Sequence, residues 1–254
     1  MTISYERAPH PVRPDLVEAQ NIAWARIASP GTWFDGRTRV AIAAESRNAL
    51  ACSLCRRRKA ALSPYAIDGR YETLGTLPEA LVDVIHRVVT DPGRLTRTWF
   101  GQVIGDGLTD AEYVEAVGVA VTAVSADMFC RSIGVPLHPL PDPVPGEPRR
   151  HRPRTAHQRG EAWVPLIHPK DLSGPLDTPE EKALADYWQG ADPVYIRRAL
   201  SLVPAEARAW FRLAEVLYLP GKWMRDFSRE FRAITHAQIE LIAGRVSVLN
   251  GCFY

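Results

Sequence analysis

Two of the four cysteines in this 254-residue chain, Cys52 and Cys55, stand three positions apart. At the start of a helix that spacing puts both sulfurs on one side, within reach of a disulfide bond. A dithiol so placed can cycle: one thiolate attacks a peroxide oxygen and becomes a sulfenic acid, and the second thiol condenses with it. Four cations, Arg56, Arg57, Arg58 and Lys59, follow at once and are expected to lower the thiol pKa. Glu45 lies seven residues before Cys52, two helical turns away and on nearly the same face, where it could serve as a base. The plainer reading of Glu45 is a surface acid paired with an arginine. Zinc is the other use of such a thiol pair, though no second ligand pair is evident in the sequence.

A third cysteine closes a different stretch, Gln238 to Tyr254, QIELIAGRVSVLNGCFY. Ile239, Ile242, Val246 and Leu249 recur at helical spacing and make one apolar stripe. Asn250-Gly251 then breaks the helix, because both residues tolerate left-handed backbone. Cys252 follows where the next helix would begin, a position whose unpaired N–H groups favour a thiolate. Glu240 lies twelve residues upstream.

That arrangement resembles the carboxymuconolactone decarboxylase and alkylhydroperoxidase D (AhpD-like) family, whose motif runs E…SxxNGCxYCxxxH. Glu240, Ser247, Asn250, Gly251, Cys252 and Tyr254 sit where the pattern wants them. A shift of 200 residues lays Ile42 on Ile242, Ala43 on Ala243 and Cys52 on Cys252. The segment Gly107 to Leu137 looks like the family's closing helix, and Leu202 to Pro220 like the helix that precedes the motif. The likeness covers about residues 20–137 and 163–254, in two copies.

The resemblance implies an all-α, AhpD-like helical fold in two related repeats: 15–137, then a Pro/Arg-rich linker at 138–162, then 163–254. It implies a thiol-dependent antioxidant peroxidase (peroxiredoxin activity) or disulfide oxidoreductase, with Cys52, Cys55, Glu45, Glu240 and Cys252 as catalytic residues. The substrate would be a hydroperoxide or a disulfide, and a partner thiol protein would be the reductant. The resemblance also implies a homo-oligomer, with no metal and no organic cofactor.

Two departures keep other readings open. Val40 stands where the family glutamate should be and Lys59 where its histidine should be, so a catalytically inactive scaffold is one alternative. The decarboxylase branch, which runs acid/base chemistry on a lactone, is another, and the Cys-x-x-Cys argues against it. The residue after Tyr254 in the pattern is a cysteine in most members and a selenocysteine in some. One expectation is therefore a selenoprotein reading frame cut short at UGA; a chain shortened by design is the duller one.

Composition sets the frame for these motifs. Hydrophobic residues make up 46%, enough for a core, and a net charge of +2 gives no electrostatic case for nucleic acid. The polar, proline-rich N-terminus has no apolar signal segment, and no run approaches the eighteen apolar residues of a membrane span. A cytoplasmic protein with redox-capable thiols is the expectation.

Helices are expected over Asp15–Ala28, Arg37–Ala51 and Arg56–Leu62, and from Leu77-Pro78 to Asp91 with Leu81, Val84, Ile85 and Val88 inward. Thr109, with Glu112 in the capping-box position, opens a long helix ended by Gly134. Thr178 caps Pro179–Gln189, Asp192-Pro193 opens a helix toward Leu202, and Pro204 starts another through Leu217. Residues 135–160, rich in proline and arginine, read as a solvated linker. Cys130 reads as a small buried hydrophobe, and His86, His138 and His236 as structural or exposed. Trp24, Trp33, Trp99 and Trp210 read as core or interface anchors.

Overall fold

A computed structural model describes residues 3–188, 194–224 and 226–252. Helix accounts for 55% of the chain and strand for 2%, so the all-α expectation holds. The chain divides into two units, Met1–Leu213 and Ala214–Tyr254.

The first unit is built on helices whose apolar faces meet. Helix α1 (Pro14–Ala28) opens on a proline with Asp15 in its first turn and buries Ala23, Trp24 and Ile27. Helix α2 (Gly36–Ala49) starts where the Asp35 side chain accepts from the Thr38 amide, and it buries Ile42 and Ala43. Helix α3 (Ser53–Ala60) carries the cations outward and buries only Leu54 and Cys55. Helix α4 (Glu79–Thr90) turns Leu81, Val82, Val84, Ile85 and His86 inward. Helix α5 (Arg97–Gly105) is capped by Thr96. Helix α6 (Asp110–Ser132) has the anticipated Thr109–Glu112 capping box and packs against α1, α2 and α4. By length and composition α6 could cross a membrane; here it is the central core helix, carrying buried Val114, Val119 and Ala123.

The 138–162 stretch does not separate two domains. Its backbone is tied to the start of the chain, with the Val144 amide on the Ala28 carbonyl (2.8 Å) and the Arg150 amide on that of Thr32 (2.7 Å). Arg152 forms a two-pronged pair with Asp110. The prolines hold this strip extended, and backbone bonds anchor it along the first unit. A two-residue antiparallel ribbon, β1 (Ala156–His157) with β2 (Leu166–Ile167), then folds Leu166 and Ile167 into the same core.

Helices α7 (Pro179–Trp188), α8 (Tyr195–Arg198) and α9 (Pro204–Leu217) follow. Only the single turn α8 stands where a longer helix toward Leu202 was expected; Asp192-Pro193 lies outside the described residues. The start of α9 joins the first unit through a buried ion network. Arg39 reaches Glu115 (2.5 Å) and Glu206 (2.8 Å), and Arg26 also reaches Glu206 (2.6 Å). Glu115 further accepts from the Thr32 and Trp33 amides. The fit is close: a Cβ on Gly118 would lie 2.9 Å from a Glu206 carboxylate oxygen. Burial and the Glu206 charge raise the Glu115 pKa, whereas Arg26 and Arg39 outweigh burial and hold Glu206 below the ordinary carboxylate value.

In the second unit, α10 (His236–Leu249) is capped by a Thr235–Gln238 box, and Trp223 stacks on Phe231. Helices α2 and α10 have the same length, start 200 residues apart, and each ends three residues before a cysteine. Their cover differs. The α2 positions Ile42 and Ala43 are fully buried, whereas in α10 Ile242, Val246 and Leu249 expose about half of their surface or more (55%, 49% and 65%).

Candidate functional site: two thiols, a histidine and a glutamate

Three helices and one irregular segment converge on the first thiol pair. The end of α2 delivers Cys52, which serves as the N-cap residue of α3, and Cys55 sits in the first turn of α3. With Leu54 they form a small buried cluster closed by Ile67 and Tyr71. The two sulfurs are not bonded to each other, and both residues are nearly inaccessible, at 1% and 3% exposure. The two sulfurs and a nitrogen of His86 all lie within 4.8 Å of one another, which suits the expected disulfide.

His86 is the residue that sequence reasoning set aside. Its Nδ1 stands 3.2 Å from the Cys55 sulfur and its Nε2 stands 2.8 Å from Glu45 Oε1. All three groups are buried. A carboxylate can only accept, so the imidazole N–H is assigned to Nε2, facing Glu45. Nδ1 is then the acceptor for the Cys55 S–H. The chain Glu45–His86–Cys55 is thus ordered as carboxylate, base and thiol.

Glu45 is not the arginine-paired surface acid of the plainer reading. It is fully buried and accepts from the Thr73 hydroxyl (3.1 Å), the Leu74 amide (3.0 Å) and Asn48 Nδ2 (2.9 Å) as well as from His86. Burial works to raise its pKa, but these four donors outweigh it and hold the carboxyl below its ordinary value. Glu45 therefore stays ionised and can stabilise a positive imidazole.

The expected acidification of the pair is not seen at Cys55. Burial, helped by the neighbouring Cys52, pushes its thiol up to about 12. Arg56 and Lys59 are exposed, where their charge is screened, and Arg57 reaches the Asp68 carbonyl (3.4 Å). Arg58, turned to the Ile67 carbonyl and the Tyr71 hydroxyl, lowers the thiol pKa by less than burial raises it. Alkylation of Cys55 should accordingly still gain about tenfold per pH unit between about pH 9 and 10, beyond the ordinary thiol value. Rates against pH, with modified peptides identified by mass, check this; a plateau by about pH 9 would contradict it.

The cover over the site is the strap 67–74. Tyr71 lies on His86, with ring centroids 4.4 Å apart, and its hydroxyl bonds Asp83. Glu72 bonds Ser53 and Asn48, while Thr73 and Leu74 hold Glu45. At Gly69 (φ +148°) the strap passes so close to α3 that a Cβ would meet Leu54 at 3.1 Å.

The other expected site residues are placed differently. Glu240 accepts from the Tyr218 hydroxyl (2.5 Å) and stands 3.4 Å from His236. Cys252 is exposed, and Tyr254 lies outside the described residues. Val40 packs on the core and Lys59 is exposed, so neither family position carries a relay group here.

One signal for His86 was available in the sequence. It falls on the inward face of α4, between Ile85 and Arg87 and four residues after Val82, and a polar ring buried there must find a partner. No family model matches the chain, and no curated protein or solved structure matches it either.

Proposed function

We propose that this protein is a thiol-dependent peroxidase or disulfide oxidoreductase of the AhpD-like kind, with Cys55 as nucleophile and Cys52 as resolving thiol. The observation that carries the proposal is the buried Glu45–His86–Cys55 chain, 2.8 Å and 3.2 Å in its two links. It supplies a carboxylate and a histidine from other positions than the family pattern uses. The inactive-scaffold reading rested on their absence, and it loses that support.

In the proposed cycle His86 Nδ1 takes the proton from Cys55, and Glu45 steadies the imidazolium. The Cys55 thiolate attacks the terminal oxygen of a hydroperoxide. The O–O bond breaks, and the departing alkoxide takes the proton from His86 and leaves as the alcohol. Cys55 is then a sulfenic acid. The Cys52 sulfur attacks Cys55, the S–O bond breaks, water leaves and the disulfide forms. A partner dithiol returns two electrons and two protons. The high thiol pKa of the covered site makes Cys55 quiet at rest. Displacement of Tyr71 and the strap 67–74 would admit the substrate.

Turnover of an organic hydroperoxide, coupled to a dithiol reductant, tests the reading. Cys55→Ser is expected to fall to the uncatalysed rate, and Cys52→Ser to form the sulfenic acid but lose the intramolecular disulfide. A Cys55→Ser protein that turns over like the parent would end it.

A further inference from the structure

We infer that the reduced pair Cys52 and Cys55, together with His86, is a binding site for one thiophilic divalent cation of the zinc type. The inference uses residues of the proposed peroxidase site but does not need its chemistry. The sulfurs of Cys52, at the N-cap of α3, and Cys55, in its first turn, lie with a nitrogen of His86 on α4 within 4.8 Å of one another, and all three residues are buried. Donor atoms around a tetrahedral zinc sit about 3.5–3.8 Å apart, given zinc–sulfur bonds of about 2.3 Å and zinc–nitrogen bonds of about 2.0 Å. The 3.2 Å separation between Cys55 Sγ and His86 Nδ1 needs only a small opening to accept a cation in place of the shared proton.

The supporting shell is already built. A zinc-bound histidine characteristically gives its other N–H to a carboxylate, which fixes the ring and raises its basicity. His86 does this with Glu45, and Glu45 is itself held by Asn48, Thr73 and the Leu74 amide. Charge also balances: two thiolates and a neutral imidazole neutralise a dication in a buried place, with each ligand losing at most one proton. Two soft sulfurs with one imidazole select zinc, cadmium or cobalt over magnesium and calcium, which need oxygen ligands. Three protein ligands leave the fourth position for water or a small thiol. The sequence lacked a second ligand pair because the third ligand comes singly, from α4.

The test is a titration of the full-length, fully reduced protein with Co²⁺ in the absence of oxygen, followed by displacement with Zn²⁺. The expected result is one equivalent of Co²⁺ bound, with thiolate-to-cobalt charge-transfer absorption that Zn²⁺ abolishes. Cys52→Ser should about halve that absorption, since its strength follows the number of thiolates. Glu45→Gln should weaken affinity about 10–100-fold while the spectrum keeps its two-thiolate intensity. Cys130→Ser and Cys252→Ser should leave both unchanged. No charge-transfer band at one equivalent, or a band that survives both Cys52→Ser and Cys55→Ser, would overturn the inference. Peroxidase turnover in the metal-free protein is a separate readout, so either idea can fail without the other.

Discussion

Replacing His86 by alanine is expected to slow hydroperoxide reduction by about 10²–10⁴-fold, the range a positioned acid–base group supplies. The reason is geometric. Cys55 sits in a buried site that pushes its thiol up to about 12, so almost no thiolate exists near neutral pH without a local base. His86 Nδ1, at 3.2 Å, is the group placed to take that proton and to return it to the leaving alkoxide. Glu45→Gln keeps the shape but loses the charge that stabilises imidazolium, and should cost about tenfold or more. Both variants must retain the parent's helical circular dichroism for the comparison to count. A His86→Ala protein within about threefold of the parent rate would remove His86 from the mechanism.

The largest expected effect on stability is at Arg39. Its guanidinium is 1% exposed and stands between two carboxylates, Glu115 and Glu206, that are themselves buried. Removing one partner from a buried ion cluster leaves charge uncompensated in a poorly polarisable place, typically at a cost of about 3–5 kcal/mol. Arg39→Ala should therefore unfold at markedly lower denaturant, since Arg26 can answer only Glu206. Arg39→Met should be almost as harmful, because volume without charge does not satisfy Glu115. A shift below about 1 kcal/mol in chemical unfolding would show that the carboxylates relax by taking up protons instead. The network matters to the site because it fixes α2, and α2 carries both Glu45 and the approach to Cys52.

Local signals were legible in the sequence. The Thr109–Glu112 box and the Thr178 cap mark helix starts by backbone chemistry alone, and apolar spacing gives the inward faces. The thiol pair was also visible, because its three-residue spacing at a helix start decides where the sulfurs meet. Glu45 stands on α2 and reaches Cys55 only through His86, which spacing alone does not give. What was not visible depends on pairing between distant segments. His86 is 31 residues from Cys55 and 41 from Glu45, and Glu206 is 167 from Arg39. No periodicity encodes such distances. The Pro/Arg stretch misled for a related reason: its composition resembles a linker, but its backbone donors find carbonyls at Ala28 and Thr32. The cations after Cys55 misled because sequence adjacency ignores burial, which raises the thiol pKa by more than Arg58 lowers it.

The most direct measurement is the mass of the reduced protein before and after one equivalent of an organic hydroperoxide, with the modified peptides identified. The account predicts that one equivalent is consumed, that the chain loses two hydrogens, and that the new bond joins Cys52 to Cys55. In Cys52→Ser the same treatment should instead leave one added oxygen on Cys55, and in His86→Ala the reaction should be slowed by the factor given above. Unchanged thiols at Cys52 and Cys55, with oxidation confined to Cys252 or Cys130, would contradict it.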